Sequence, residues 1–264
     1  MGTPTLAAST AFFLMTTLLA TGCLLSSGEG NGRECDIGLT AGPLYAASSM
    51  PSTLALSRAQ RLAIVMVKPA AEGTTGVCTG TLLSDTWVIT AAHCAHEEAS
   101  IAFGEDPDAP TVQVRPEETH KHPDHDVALL QVPAPALKSL GAVPIAVWKR
   151  AVPEAWIGRQ LELSGRGITE TGSFGNTQFV AETVTAIDES FIEVDGMGAS
   201  GACLGDSGGA LLVQAGDATP RIVGILSQGA ASCRGRDLYI RADRFADWAL
   251  ETTQAHSTSP DPCP

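Results

Sequence analysis

The sequence contains few aromatic residues and few cations. Aromatic residues make up 5% of its 264 residues, and 16 Lys and Arg stand against 29 Asp and Glu, a formal net charge of −13. Because so acidic a chain offers little basic surface, we expect neither nucleic acid nor an anionic membrane surface as a partner. Its 27 glycines and 16 prolines favour many short strands joined by turns over long helices.

Long hydrophobic runs are absent after residue 25, but one lies before it. Residues 6–25, "LAASTAFFLMTTLLATGCLL", include no charged residue and end in small residues around Cys23. An apolar core followed by small residues is typical of a secretory signal, which we predict for residues 1–22. Ordinary cleavage after Gly22 and an uncleaved membrane span of about 20 residues are the alternatives. The sequence therefore predicts an exported protein.

The string "LLATGC" resembles a bacterial lipobox, in which the cysteine carries a lipid. This resemblance implies lipid attachment at Cys23 and a lipid-anchored position in the cell envelope, with plain secretion as the alternative. Seven cysteines would otherwise leave an odd thiol in an exported chain. With Cys23 lipidated, six cysteines remain, enough for three disulfides in an oxidising compartment. They are Cys35, Cys78, Cys94, Cys203, Cys233 and Cys263.

The rest of the chain changes texture near Leu62. Residues 23–58 begin with a stretch rich in Gly and Ser, which predicts a flexible tether followed by a poorly determined segment. Beyond it, short apolar runs alternate with Gly, Pro, Asn and Asp, a pattern typical of an all-β sandwich or barrel. A final segment, "DRFADWALETTQ", has Phe245, Trp248 and Ala249 at helical spacing and predicts a closing helix. Residues 253–264 form a tail. The strand candidates are "LAIVMV", "TGTLLSDTWVITAA", "DVALLQV", "QLELSG", "TQFVAETVTAID", "FIEVDG", "ALLVQA" and "RIVGILSQG".

The string "GACLGDSGGA", residues 201–210, surrounds Ser207 with glycine and places Asp206 directly before it. A serine hydroxyl is a weak nucleophile, so it needs a base to take its proton and a third group to orient that base. It also needs donors for the oxyanion that forms on attack. Glycines permit the tight backbone turn that would supply N–H donors. Taken alone, such a string is more often a plain turn.

Two further strings decide between these interpretations. His93 in "TAAHC" follows the apolar run "WVIT", and Asp126 in "HDVALL" precedes a buried strand, where a carboxylate needs a strong hydrogen-bond partner. In the order His, Asp, Ser, the three strings resemble the trypsin-like (chymotrypsin-fold) serine peptidases. The resemblance covers residues 59–252. It implies an all-β fold of two packed six-stranded antiparallel β-barrels, with a C-terminal helix and an active site between the barrels.

The resemblance also implies the role of each residue. Ser207 is the nucleophile, His93 the general base and then acid, and Asp126 the group that orients the imidazole. The N–H groups of Gly205 and Ser207 form the oxyanion hole. The implied activity is that of a serine endopeptidase of the bacterial secreted or lipoprotein type. It acts on protein or peptide substrates through an acyl-enzyme, with no cofactor and no metal.

Substrate preference follows from positions carried over from the same family. Gly201 falls at the floor of the substrate pocket, where a basic-specific relative has an acid, and Ser227 and Gly229 fall along the pocket. Asp237 falls on the facing wall, where it could receive Lys or Arg unless the neighbouring Arg236 neutralises it. We therefore predict a basic or broad preference. The family also implies the disulfides Cys78–Cys94 and Cys203–Cys233, which leaves Cys35 and Cys263 as a third pair.

Activation is open at this stage. Relatives expose an "IVGG"-like N-terminus whose amine pairs with the acid before the serine, here Asp206, but no such string lies upstream of "RLAIVMV". Asp206 therefore pairs with another cation, or an unusual N-terminus is made, or the enzyme is partly zymogen-like. In "HKHPDHD", residues His120, His122 and His125 offer metal ligands. Their spacing fits a solvated loop better than a metal site.

Two other functions are alternatives to proteolysis. A pseudopeptidase that acts as a surface binding module has the same fold, but all three triad positions are filled here. An α/β-hydrolase esterase would require the triad in the order Ser, Asp, His, whereas His comes first in this chain. The sequence leaves the oligomeric state open.

Overall fold

A computed structural model describes residues 1–2, 47–68, 76–133, 137 and 140–253. The predicted signal, the tether up to residue 46 and the tail from residue 254 lie outside this part of the chain, apart from residues 1–2. The predictions for Cys23, Cys35 and Cys263 therefore lie outside it as well. Within the described ranges, no helix is long and apolar enough to cross a membrane.

Seven antiparallel strands form the first sheet, in the order β5-β4-β1-β2-β3-β7-β6. Only residues 115–117 separate β5 from β6, and Pro116 among them has no N–H to donate to a ladder. Counted as one interrupted strand, β5 and β6 give the six strands that were predicted. The strands are β1 Ile64–Lys68, β2 Cys78–Ser84, β3 Trp87–Thr90, β4 Ser100–Phe103, β5 Val112–Val114, β6 Glu118–Lys121 and β7 Ala128–Gln131.

The second sheet closes on itself. Its order is β12-β9-β10-β11-β14-β13-β8, and β12 also pairs with β13, so six antiparallel strands make a ring. The short β8 adds a parallel pairing to β13, which the prediction of six antiparallel strands did not include. The strands are β8 Ala146–Val147, β9 Gln160–Gly165, β10 Gln178–Ile187, β11 Phe191–Asp195, β12 Ala210–Gln214, β13 Pro220–Gln228 and β14 Arg236–Arg241.

Helical structure is sparse in the described residues. Helix α1, Arg58–Arg61, starts at Ser57, whose side chain and that of Gln60 form a capping box. Helix α2, Ala246–Thr253, is the predicted closing helix, and it follows the buried Phe245. Three 3₁₀ turns lie at Ala92–Cys94, Glu154–Trp156 and Ala242–Arg244. The predicted all-β fold of two barrel-like sheets with a C-terminal helix is confirmed.

Residues 47–57, which we name the N-terminal strap, pack against the second sheet. Ser48 and Phe179 exchange backbone hydrogen bonds of 2.9 and 2.8 Å. The buried carboxylate of Glu162 accepts hydrogen bonds from the backbone N–H and the hydroxyl of both Ser52 and Thr53, at 2.7 to 3.3 Å. The sequence assigned these residues to a poorly determined segment. They instead contribute to the packed fold before residue 59.

Candidate active site

The pairing of β3 with β7 brings His93 and Asp126 together. His93 lies in the 3₁₀ turn that follows β3, Asp126 lies two residues before β7, and Thr90 pairs with Ala128 across the two strands. His93 Nδ1 lies 2.8 Å from Asp126 Oδ2, and the His93 backbone N–H donates to Asp126 Oδ1 at 2.9 Å. Two hydrogen bonds therefore fix both the turn and the imidazole ring.

Asp126 also receives a hydrogen bond from the second sheet. Burial raises the pKa of Asp126, but hydrogen bonds from His93 and Ser227 outweigh burial and lower this pKa to about 2. The Ser227 hydroxyl donates to Asp126 Oδ2 at 2.7 Å. Ser227 was predicted to lie along the substrate pocket, and this role stays a prediction. Its hydroxyl is directed at the carboxylate, and Ser227 is not among the residues that line the cleft.

Ser207 lies in a turn of residues 203–209, the Ser207 loop, which ends where β12 begins. Ser207 and His93 line the same cleft, which has a volume of about 580 Å³. No hydrogen bond joins the two side chains in the described structure, and such bonds are often loose before substrate binds. The structure therefore pairs His93 with Asp126 and places Ser207 at the same cleft.

The backbone conformation at two positions of this loop requires glycine. Gly205 and Gly208 have φ angles of +99° and +81°, a region that side chains strongly disfavour. A Cβ at Gly208 would also lie 2.2 Å from Thr90 Oγ1. Within the described residues, the N–H groups of Gly205 and Ser207 donate to no protein atom, and both residues line the cleft. Both N–H groups are therefore available to an anion.

Asp206 points away from the cleft into the second sheet. It is fully buried, and its two oxygens accept hydrogen bonds of 2.8 Å from the backbone N–H groups of Gly167 and Cys203. Burial raises the pKa of Asp206 to about 7, and the two backbone bonds offset part of this effect. No cation pairs with Asp206 among the residues that the structure describes. A cation that pairs with Asp206 would therefore have to come from the segments outside the described residues. Without such a cation, the loop keeps its shape through its own hydrogen bonds or is partly zymogen-like.

The predicted pocket residues occupy different layers of the wall. Gly229 lines the cleft. Gly201 lies behind it, where a Cβ would come within 2.8 Å of the Cys233 carbonyl oxygen. Any side chain at position 201 would therefore collide with backbone.

Asp237 was predicted on the pocket wall facing the floor, and its role there stays a prediction. It is fully buried, and its carboxylate accepts hydrogen bonds of 2.6 and 3.0 Å from the backbone N–H groups of Ala202 and Ala230, two residues that line the cleft. Arg236 lies 3.5 Å from Glu193 and does not pair with Asp237. Asp237 therefore holds the cleft wall from behind, whereas the prediction placed it on the wall surface.

Sequence reasoning missed Glu182, a second buried acid near Asp237. The carboxyl groups of Glu182 and Asp237 lie close enough for a side-chain hydrogen bond between them to affect both pKa values, whereas the buried Tyr239 hydroxyl has no hydrogen-bond partner in the described part of the chain. Burial and the charge of Asp237 raise the pKa of Glu182 to about 9, and burial raises that of Asp237 to about 6. The sequence did carry a signal: Glu182 lies two residues from both Val180 and Val184, so it shares their buried face of β10.

Two disulfides lie beside the cleft, at the positions that the resemblance implied. Cys78–Cys94 fastens the His93 turn to β2, and Cys203–Cys233 joins the Ser207 loop to the opposite wall. The third predicted pair, Cys35 with Cys263, lies outside the described residues. Both bridges therefore attach loops that carry cleft residues.

The predicted histidine loop lies beside Asp126. His120 Nε2 lies 2.9 Å from Glu118 Oε2. His122 Nδ1 accepts the backbone N–H groups of Asp124 and His125 at 3.1 Å each. The one group of three metal-type ligands among the described residues is Cys78, His93 and Cys94, whose cysteines are bonded to each other. The rings of His120 and His122 also lie against Trp87 and Trp248, with centroids 5.6 and 4.9 Å apart.

Comparisons with known proteins agree with this geometry. The family model described as Trypsin matches residues 57–249, more than half of the chain. The chain is 28% identical over 211 residues to Trypsin of Phaedon cochleariae, covering 67% of this chain and 79% of that protein. It is 27% identical over 210 residues to Trypsin 5G1 of Aedes aegypti, covering 69% and 77%.

A human relative extends the comparison to a longer protein. The chain is 27% identical over 216 residues to Transmembrane protease serine 5 of Homo sapiens, covering 67% of this chain and 46% of that protein. These relatives are from animals and give no support to the bacterial type that the Cys23 string indicated. The family match and the two-barrel fold together establish that the chain belongs to the trypsin family, with residues 57–249 as its serine protease domain.

Proposed function

We propose that this protein is a serine endopeptidase that hydrolyses peptide bonds through an acyl-enzyme, with His93, Asp126 and Ser207 as its triad. The observation that carries the proposal is the 2.8 Å contact between His93 Nδ1 and Asp126 Oδ2, on an imidazole that shares its cleft with Ser207. Asp126 is ionised at neutral pH because its pKa is lowered to about 2. It therefore accepts the Nδ1 proton, which leaves Nε2 as the basic atom.

In this mechanism, Nε2 of His93 takes the Ser207 proton as Oγ attacks the substrate carbonyl carbon. The negative charge on the carbonyl oxygen is stabilised by the N–H groups of Gly205 and Ser207. The imidazolium, stabilised by Asp126, then gives its proton to the leaving amine. A water molecule activated by the same imidazole hydrolyses the acyl-enzyme and restores Ser207.

The residues around the cleft bear on substrate preference. Apart from His93 and Ser207, the described residues that line it are mostly small or apolar and include no carboxylate; among them are Val77, Phe174, Ala202, Leu204, Ala230 and Ala231. The basic or broad preference through Asp237 remains a prediction, which now depends on a carboxylate behind the wall. Peptides with Arg, Leu, Phe and Ala before the scissile bond test it. Equal turnover of the Arg and Leu peptides would refute a role for Asp237 in selection.

Export, with lipid attachment at Cys23, is the proposed location, and residues 6–25 support it. A signal peptidase cut after Gly22 would instead give a free Cys23 and a secreted protein. Intact mass and N-terminal sequencing of the mature protein distinguish the two outcomes. A mature chain that retains residues 1–22 would refute both.

The activity itself is tested by labelling with an organophosphate. The proposal predicts one phosphoryl group per chain on Ser207, no labelling of Ser207→Ala, and release of amine from peptide substrates. A folded, mature wild-type protein that does not react would contradict the proposal. It would support the alternative, a catalytically silent pseudopeptidase that serves as a surface binding module.

A further inference from the structure

We infer that Thr79 is a positioning residue for the Ser207 loop. Its hydroxyl joins that loop to the turn after β9 and so holds the backbone around the two N–H groups proposed for the oxyanion hole. This inference rests on the proposed function, because it concerns the shape of the proposed anion site. It is carried by hydrogen bonds between the two barrels.

Thr79 lies in β2 of the first barrel and is fully buried. Its hydroxyl donates to the Gly205 carbonyl oxygen at 2.9 Å and accepts the Arg166 backbone N–H at 2.9 Å. Its own backbone N–H donates to the Ser207 carbonyl oxygen at 2.8 Å. One residue of the first barrel therefore binds both Gly205 and Ser207.

These contacts matter because Gly205 has a φ of +99° and glycine has more accessible backbone conformations than other residues. Rotation of the peptide between Gly205 and Asp206 would turn the Asp206 N–H and shift the adjacent peptides, which carry the N–H groups of Gly205 and Ser207. The bond from Thr79 Oγ1 to the Gly205 carbonyl oxygen opposes that rotation. The bond from Thr79 N to the Ser207 carbonyl oxygen holds the far end of the same turn.

Arg166 makes the other end of this connection rigid. It follows β9 of the second barrel, and its guanidinium donates to the carbonyl oxygens of Gly175 at 2.6 Å, Ile64 at 3.2 Å and Gly104 at 2.7 Å. Ile64 and Gly104 belong to the first barrel. The side chain is 1% exposed, and among the described residues it pairs with no carboxylate.

The Thr79 hydroxyl is thus held between a fixed donor and a flexible acceptor. We name Thr79 and Arg166 the interbarrel brace. On the opposite side of the loop, Asp206 bonds only to backbone N–H groups, those of Gly167 and Cys203. Within the described residues, Thr79 and Asp206 therefore hold the loop from two positions through hydrogen bonds with backbone groups.

The chain offers a matched control two residues away. Thr81 lies on the same strand and is equally buried, but its hydroxyl has no hydrogen-bond partner among the described residues. Thr81→Val removes a buried hydroxyl that makes no bond, whereas Thr79→Val removes one that makes two. Any difference between the two variants therefore reports the bonds of Thr79.

The experiment compares Thr79→Val, Thr79→Ser and Thr81→Val with the wild-type protein in two measurements. The first is hydrogen–deuterium exchange of the loop amides of Asp206, Gly208 and Gly209, which donate bonds of 3.0, 2.9 and 2.8 Å. The second is kcat and KM for a peptide substrate, corrected for active sites by organophosphate titration. Loss of one oxyanion donor costs about 10²–10³ in kcat, so a displaced donor should cost roughly tenfold.

We expect faster loop exchange and a roughly tenfold lower kcat at nearly unchanged KM in Thr79→Val. Thr79→Ser should restore both quantities, and Thr81→Val should leave both unchanged. Equal behaviour of Thr79→Val and Thr81→Val in exchange would overturn the inference, as would failure of Thr79→Ser to restore the loop. Because exchange requires no catalysis, an unreactive wild type would refute the proposed function while the exchange data still decided the role of Thr79.

Discussion

The two barrels differ in what they bury. Among the described residues, the polar side chains buried in the first barrel are threonines. The second barrel and its loops bury charged or ionisable side chains, namely Glu162, Arg166, Glu182, Asp206, Asp237 and Arg241. In the first barrel, ionisable chemistry is confined to the rim, where His93 and Asp126 remain partly exposed.

This difference gives the two barrels opposite responses to pH. The pKa of Asp126 is lowered, so its contribution to stability is present above about pH 4 and is lost as pH falls towards 2. The pKa values of Glu182, Asp206 and Asp237 are raised. The folded state then keeps protons that the unfolded chain releases, so stability falls as pH rises from about 4 through 9.

The largest effect should come from the rim of the first barrel. Asp126→Asn removes the charge that orients His93, and we expect kcat to fall roughly 10⁴-fold with little change in fold. Asp124→Asn is the matched control, because Asp124 is exposed and lies two residues away. Steady-state kinetics and circular dichroism measure both variants. A tenfold loss or less in Asp126→Asn would separate Asp126 from the proposed triad.

The disulfides allow the barrels to be compared directly, since each bridge is anchored in one of them. Replacing Cys78 and Cys94 together by Ala should lower the free energy of unfolding by about 3 kcal/mol. The Cys203 and Cys233 pair closes a longer loop, of 30 residues against 16, so its loss should cost slightly more. Urea unfolding monitored by tryptophan fluorescence gives both values. A smaller loss for the 30-residue loop would show that loop entropy does not govern these bridges.

The N-terminal strap allows a test of Glu162, a buried acid whose hydrogen bonds are satisfied. Glu162→Gln weakens an acceptor that serves four donors on Ser52 and Thr53, so unfolding should require roughly 1–3 kcal/mol less free energy. Glu105 forms an exposed ion pair with Arg58, so Glu105→Gln should change the free energy of unfolding by too little to measure. If both variants unfold at the same urea concentration, the strap contributes nothing to stability.

The smallest effect should have the opposite sign. Glu182→Gln replaces an acid whose pKa is raised by burial and by Asp237 with a neutral group of the same shape, so it should raise stability at pH 8 by roughly 1 kcal/mol. The gain should shrink as pH falls and vanish below about 4, where the wild-type side chain is protonated in both the folded and the unfolded state. Urea midpoints measured from pH 4 to pH 9 check this. A gain that is independent of pH would show that Glu182 does not carry the buried titration.

Sequence reasoning found the strands that carry a clear apolar run. β1 and β12 are continuous apolar runs that are buried nearly throughout, and both were recognised, as was the buried β2. β5 and β6, "VQV" and "ETHK", are mostly exposed or half-buried, so they carry no apolar run and were missed. The short β8 was missed, and so were β4 and β14, "SIAF" and "RDLYIR", although most of their residues are buried.

Within the site, the three catalytic-type strings predicted position well, whereas positions carried over along strands did not predict the direction of the side chain. The strings around His93, Asp126 and Ser207 located the cleft because local turns fix their positions. Ser227 and Asp237 were placed by counting along strands, which gives position but not the direction of the side chain. Hydrogen bonds with Asp126 for Ser227, and with Ala202 and Ala230 for Asp237, decide those directions. Such long-range partners are not readable from one sequence.

The hydroxyl of Ser227 bonded to Asp126 has a practical consequence. The base and its carboxylate belong to one half of the domain, while the reactive serine and Ser227 belong to the other. A chain divided between β7 and β8 would give two inert fragments whose reassembly restores turnover. If the proposed activity holds, substrate turnover would then report whether the two halves have docked.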